Sequence, residues 1–136
     1  MPCNQYKVNE KGQSLVEFAL LLPVLLLILM GIIQFGIIFN GQVTVTSAAR
    51  EGARLAVVGA DDEQVKDRVE EAAVALLLNI DRDDDIEINR AVDGDEGKLS
   101  VKVDGEVDII VPLLGMFTGE SFVLSSESVM RVEVKP

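Results

Sequence analysis

The segment Phe18-Ala-Leu-Leu-Leu-Pro-Val-Leu-Leu-Leu-Ile-Leu-Met-Gly-Ile-Ile-Gln-Phe-Gly-Ile-Ile-Phe39 is apolar on every face, and Gln34 is its only strongly polar side chain. At about 1.5 Å per residue, a helix of this length crosses a bilayer core of about 30 Å. A secretory signal peptide has a shorter apolar core followed closely by small residues at a cleavage site, whereas helical sequence continues here. The sequence therefore predicts one transmembrane span over about 18–39.

The charges that flank this span predict its orientation. Lys7 and Lys11 precede it with Glu10 between them, and Arg50 and Arg54 follow it only at a distance. The positive-inside rule therefore favours a cytoplasmic N-terminus. The part of the chain after the span would then lie outside the cytoplasmic membrane.

The charge distribution divides the 136 residues into an apolar helix and an acidic head. No charged residue occurs between Glu17 and Arg50, whereas the chain from Asp61 onward holds 20 of the 23 acidic residues against 8 basic ones. A head of this charge repels phosphate backbones, so nucleic-acid binding is not expected. The length allows one domain and one long helix, and we expect the acidity to keep the head soluble.

The helix is predicted to continue beyond the bilayer to about residue 58, because the sequence from Gly41 to Val58 contains no proline. Small residues recur every four positions at Ala48, Gly52 and Ala56, with Ala49 and Ala53 beside them. Such a ridge allows a second helix to approach closely. Two interpretations stay open, since the ridge could receive a neighbouring molecule's helix or the head's own sheet or second helix.

The head, over 59–136, is predicted to begin with an amphipathic helix. Gly59 and Ala60 end the first helix, and the second begins at Asp61 or Asp62 with Gln64 as a capping partner. Its apolar residues repeat at three- and four-residue spacing, which is typical of a helix resting on a core. These residues are Val65, Val69, Ala72, Ala73, Leu76, Leu77 and Ile80.

Three strands are predicted to follow, with a turn over 93–97 after the first. Alternation continues through Gly105 in the second segment, so we interpret it as one long strand to Val111 rather than a hairpin at Asp104-Gly105. A two-residue loop there would oppose acidic and apolar side chains. The last strand returns antiparallel after a loop over 112–119. Its apolar residues, Leu113, Leu114, Met116 and Phe117, would cover the core or form a contact patch.

The predicted fold is therefore α+β: a long transmembrane helix continuing into a small head in which one amphipathic helix packs on an antiparallel three-stranded sheet. The last strand is defined by Phe122, Leu124, Met130, Val132 and Val134.

The residue types in the head do not favour catalysis or cofactor binding. The chain has no histidine, its one cysteine is Cys3, and no base accompanies Ser125, Ser126 and Ser128. We therefore expect no enzyme activity and no cofactor. Asp81, Asp83 and Asp85 alternate like the first ligands of a calcium loop. However, Ile86 and Val92 stand where that loop needs glycine and glutamate, so a solvated turn is the favoured interpretation.

Glu17 is the most informative single residue, because it is a carboxylate at the start of an apolar helix. Ser14-Leu-Val-Glu17 fits a capping box. Yet Lys11-Gly12-Gln13-Ser14-Leu15-Val16-Glu17-Phe18, followed by the apolar helix, also resembles the site at which prepilin peptidases cleave type IV pilins. That resemblance implies cleavage between Gly12 and Gln13, with 1–12 as the leader and 13–58 as the mature helix.

Residues 11–58 resemble the TadE-like pseudopilins of tight-adherence pilus systems. The likeness lies in the start of the helix, in Gly31-Ile-Ile-Gln-Phe-Gly36 and in Ala48-Ala-Arg-Glu-Gly-Ala-Arg54. It implies a structural pilus subunit that meets other pilin subunits, a prepilin peptidase, the membrane platform of the pilus machine and the lipid bilayer. It also implies that Glu17 pairs with the freed amine of Gln13 on a neighbouring subunit.

Helix residues at several further positions bear on packing. Pro23 leaves the carbonyl of Ala19 without its amide donor. Gly31, Gly36 and Gly41 would either let the helix bend or permit close packing. The rival functional hypothesis is an unprocessed bitopic anchor that presents a small binding or sensing domain outside the membrane.

Overall fold

The computed structural model describes residues 10–75, 77–93, 96–111 and 119–133. The side chains of 10, 11, 92, 93, 96 and 133 are not described. The chain divides into two compact units, Met1–Ile33 and Gln34–Pro136.

Several predictions fall on residues outside the described ranges. They concern the leader before residue 10, the centre of the 93–97 turn, and Leu76. They also concern Val134 and the apolar loop residues Leu113, Leu114, Met116 and Phe117.

Helix α1 spans Glu10–Val57 and includes Pro23 without ending there. Good helix formers on both sides of the proline maintain the helix past one missing hydrogen bond. The helix ends where sequence analysis predicts: Gly59 adopts φ +92°, a conformation that favours glycine, and its N–H donates to the Ala56 carbonyl at 3.2 Å.

Helix α2 spans Asp62–Ala72 and is shorter than predicted. Asp61 is its N-cap, and the Asp61 carboxylate accepts a 2.8 Å hydrogen bond from the backbone N–H of Gln64. The apolar repeat predicted helix as far as Ile80, which is wrong. Leu77 has φ +60°, and the chain beyond it turns to pair with the sheet.

The sheet has four strands rather than three: β1 Leu78–Asn79, β2 Ile86–Asp93, β3 Glu96–Asp108 and β4 Ser121–Glu133. The extra strand β1 lies within the stretch up to Ile80 that the apolar spacing predicted as helix. Leu78 and Ile80 approach Gly105, where an added Cβ would lie 3.0 and 3.1 Å from their side chains. Both side chains are half-buried, as they would be on the inner face of a helix, so apolar spacing alone did not distinguish helix from strand here.

Strand β3 pairs antiparallel with every other strand. Strand β4 follows its whole length from Glu96↔Glu133 to Asp108↔Ser121, while β2 pairs with 96–103 and β1 with Glu106 and Val107. The prediction of one continuous strand through Gly105 is confirmed, and Gly105 lies opposite Leu124 without an interruption in register. The strand ends at Asp108 rather than Val111.

One apolar core fills the unit Gln34–Pro136. Alternate residues of β3 point into it, because successive strand side chains face opposite sides of a sheet. Helix α1 contributes its small residues and α2 contributes Val65 and Val69. The fully buried members are Val45, Ala48, Ala49, Ala53, Val65, Val69, Val101, Val103 and Val107.

Candidate interaction surfaces on the N-terminal helix

The first compact unit contains an apolar helix whose large side chains are exposed. Every large apolar side chain from Leu15 to Ile33 is exposed. The chain has one helix, within Gly12–Val57, that is long and apolar enough to cross a membrane among the described residues, and its most apolar window is 0% buried. Soluble proteins rarely expose an apolar surface of this extent. Lipid or neighbouring helices are therefore needed to cover it.

The residues of the predicted processing and assembly site lie at the start of this helix. Gln13 and Glu17 are exposed and lie four positions apart, which places them on one helix face. Gly12 is half-buried. Since α1 already begins at Glu10, Ser14 lies inside the helix, and the interpretation of Ser14 and Glu17 as a capping box is wrong.

The small-residue ridge is covered by the chain's own head. Ala48, Gly52 and Ala56 are buried, together with Ala49 and Ala53. A Cβ added at Gly52 would lie 2.5 Å from Val69 Cγ2 and 3.3 Å from Val101 Cγ1, which brings both α2 and β3 against this position. Of the two interpretations of the ridge, packing against the head's own sheet and second helix describes the structure.

The glycines of α1 differ in their surroundings. A Cβ at Gly41 would lie 2.8 Å from Leu124 Cδ1 and 3.0 Å from Val107 Cγ2, so the head packs closely there. A Cβ at Gly31 or Gly36 would meet nothing within 4 Å. These two positions therefore leave room for a close neighbour, whereas Gly41 does not.

Gln34 is the only buried polar side chain among the described residues, with 2% of its surface exposed. Its Nε2 donates to the Asp108 carbonyl at 3.2 Å, and its Oε1 accepts from the Ile110 N–H at 2.7 Å. The amide thus satisfies two backbone groups where β3 has ended, as a neighbouring strand would do. We call Gln34, Asp108 and Ile110 the amide clamp.

Sequence analysis did not assign this role to Gln34. The available signal was one polar residue in an apolar run, because a buried amide needs partners for both its oxygen and its nitrogen. Its partners are more than seventy residues away in sequence, and no local pattern identifies them.

The acidic turn before β2 forms a network of its own. The Asp83 backbone N–H donates to Asp81 Oδ1 at 3.0 Å, and the Asp81 N–H donates to Asp85 Oδ2 at 2.7 Å. Lys66 Nζ donates to Asp83 Oδ1 at 3.0 Å. Among the described residues, no group of three histidine, cysteine or carboxylate side chains is arranged to hold a metal ion.

On the outer face of the sheet, Asp104 has a lowered pKa. Burial by itself raises the pKa, but hydrogen bonds from Lys102 Nζ at 2.7 Å and from the Ser125 hydroxyl outweigh it. The same hydrogen bond, with the Asp104 charge, raises the pKa of Lys102. Both groups are therefore charged across the neutral range, and the Ser125 hydroxyl on β4 donates to the charged Asp104 carboxylate on β3.

These features define a class: a protein with one long apolar helix whose second part is built into a small α+β head. The model of the TadE-like protein family matches residues 12–54, which confirms the resemblance seen in the sequence over that segment. The match covers the apolar helix, the Gln34 position and the small-residue ridge as far as Ala53. No curated protein and no solved structure matches the chain.

Proposed function

We propose that this chain is a non-enzymatic, pilin-like subunit of a tight-adherence, type IV-like pilus. It is inserted in the cytoplasmic membrane with its N-terminus inside and its acidic head outside. A prepilin peptidase removes the leader between Gly12 and Gln13, and the mature subunit joins a filament or its base through its helix. The bilayer, the membrane platform and other pilin subunits are its partners.

The observation that carries this proposal is the bare apolar helix from Leu15 to Ile33 within the segment that matches the TadE-like family. An anchor needs only to span the bilayer. A subunit that leaves the bilayer for a filament needs an apolar helix that other helices can cover on all sides. The open positions at Gly31 and Gly36 suit such close packing.

In this proposal, Glu17 sets the axial register between neighbouring subunits. Moving a charged carboxylate into an apolar helix bundle costs at least about 2.5 to 3.5 kcal/mol, so it needs a charged partner. The new amine of Gln13 on a neighbouring subunit provides one. Because Gln13 and Glu17 lie on one helix face, each subunit offers both an amine and a carboxylate to its neighbours.

Mass spectrometry of the mature N-terminus tests the processing step. We expect a chain beginning at Gln13 in cells with working pili. A chain that still begins at Met1 or Pro2 would instead support the rival hypothesis, an unprocessed bitopic anchor with a binding or sensing head.

Exchanging Glu17 for Gln tests the assembly step. We expect Glu17→Gln to preserve membrane insertion and leader removal but to reduce incorporation into pili, measured by immunoblotting of sheared filaments against whole membranes. Glu70→Gln, on the exposed side of α2, is the matched control and should assemble normally. Normal assembly of Glu17→Gln would contradict the pairing mechanism.

A further inference from the structure

Large apolar side chains are exposed at the end of the head unit where its first residue lies. They are Phe35 at 69%, Phe39 at 63%, Ile110 at 55% and Phe122 at 44% exposed. Phe35 and Phe39 stack on each other, with ring centroids 6.4 Å apart. We call Phe35, Phe39, Ile110 and Phe122 the apolar rim.

The amide clamp fixes the position of the rim along the helix. It holds the backbone of Ile110 beside helix position 34. Phe122 is paired with Val107, which contacts the Gly41 position. The four side chains therefore lie at the level of helix residues 34–41, over about 10 Å of helix.

The exposed apolar helix ends at the same place along the chain. The exposed apolar side chains run from Leu15 to Ile33, which is about 28 Å of helix and close to a bilayer core of about 30 Å. Residue 34 begins the unit in which the head covers one side of the helix. By chain continuity, the first residues of the head unit emerge at the bilayer surface.

We infer that the apolar rim rests in the lipid interface, with Phe35 and Ile110 at the boundary between acyl chains and headgroups. The span then ends near Ile33, and Phe39 lies among the headgroups rather than inside the hydrocarbon. Apolar side chains gain free energy by leaving water at this depth, as on helices that lie in the membrane surface.

The charges around the rim specify the lipid chemistry. Asp108 and Glu120 flank Ile110 and the start of β4, and both are exposed acidic residues. They would be repelled by an anionic lipid surface. Apolar burial rather than charge therefore holds the rim, and uncharged or zwitterionic lipid such as phosphatidylcholine suffices.

Single-tryptophan variants test this inference, since the chain contains no tryptophan. The full-length chain carrying Ile110→Trp or Phe35→Trp is reconstituted in phosphatidylcholine vesicles whose acyl chains are brominated near the headgroup. Val129→Trp is the matched control, because Val129 is 61% exposed but lies about 23 Å from Phe122 along β4.

We expect the emission of Ile110→Trp and Phe35→Trp to shift to shorter wavelength and to lose most of its intensity in brominated lipid. Emission from Val129→Trp should stay that of a water-exposed indole. Water-like emission from both rim variants would overturn the inference. So would a blue shift that depends on the protein-to-lipid ratio without quenching, because a second copy would then cover the rim.

Circular dichroism of each variant confirms that the head is folded before its fluorescence is interpreted. The measurement uses no pilus and no peptidase. Water-like emission would therefore contradict only the inferred position of the membrane surface and would leave the proposed pilus function unaffected. Conversely, failure of the proposed pilus function would leave the inferred position of the membrane surface unaffected.

Discussion

At the scale of single residues, Gln34 links the apolar helix to the sheet through two hydrogen bonds that no apolar side chain can replace. Its two partners are the carbonyl of Asp108, the last residue of β3, and the N–H of Ile110, which lies two residues beyond the strand. Leaving a buried donor or acceptor unsatisfied costs more than the net gain from making the bond. Both the nitrogen and the oxygen of the Gln34 amide are therefore needed at this position, one as a donor and the other as an acceptor.

Replacing Gln34 with Leu should destabilise the head by about 1–3 kcal/mol, because the Asp108 carbonyl and Ile110 N–H lose their partner. Hydrogen exchange at the Ile110 amide measures the effect locally, and we expect protection there to fall. Gln42→Leu is the matched control: Gln42 donates at 3.3 Å to the Ser125 carbonyl in an exposed contact. Unchanged protection of Ile110 in Gln34→Leu would contradict the clamp.

At the scale of secondary-structure elements, helix α1 carries two kinds of surface. One face of its later part is buried by the head, with small residues setting a close approach, while Gly31 and Gly36 meet nothing within 4 Å. Glycine in the same helix therefore has two different consequences. At Gly41 and Gly52, where the head packs closely, an added methyl group has no room. At Gly31 and Gly36 it meets no atom within 4 Å.

Gly52→Ala tests this difference. The added Cβ would lie 2.5 Å from Val69 Cγ2, and Val69 is fully buried, so overpacking should destabilise the head by about 1–3 kcal/mol. Urea unfolding in mild detergent, followed by circular dichroism, measures the loss.

Gly36→Ala serves as the control, because its Cβ meets nothing and alanine is the better helix former by up to about 1 kcal/mol. Equal stability of the two variants would show that the ridge is packed less closely than the structure indicates.

The elements differ in how far sequence alone predicted them. Strand β3 was predicted as one piece, because its alternation stays in phase across Gly105 and a hairpin would have reversed it. Helix α2 was predicted too long, because Leu77 and Ile80 continue the helical spacing although Leu78 and Asn79 between them pair with β3. Short apolar runs carry no periodicity that separates these outcomes.

Sequence analysis predicted the local features of the candidate site but not its long-range contacts. The exposed helix and the small-residue ridge follow from local composition and four-residue spacing. The cover over the ridge and the partners of Gln34 come from residues far along the chain. Contacts of that kind depend on the assembled fold, so one sequence read by local pattern does not specify them.

At the scale of the whole molecule, every core residue in the described part of the chain belongs to the unit Gln34–Pro136. The core's first member along the chain is Ile37, and helix α1 supplies Val45, Ala48, Ala49 and Ala53 to it. The later part of α1 is thus a structural component of the head, although the same helix begins as an exposed apolar segment.

A fragment spanning 34–136 should therefore fold without the first thirty-three residues, with a cooperative urea transition in mild detergent. A fragment spanning 58–136 is the matched control, and we expect it to show no such transition because the α1 side of the core is missing. Cooperative unfolding of the shorter fragment would mean that α1 is dispensable for the head.

Strand β3 also has a consequence for the order in which the head can fold as the chain is synthesised. Every ladder in the sheet includes β3, and its longest partner, β4, is delivered last because it ends at Glu133. A chain that stops short of β4 leaves one side of a thirteen-residue strand without hydrogen-bond partners. Until β4 is present, the unpaired edge of β3 can therefore form hydrogen bonds with extended segments of other chains.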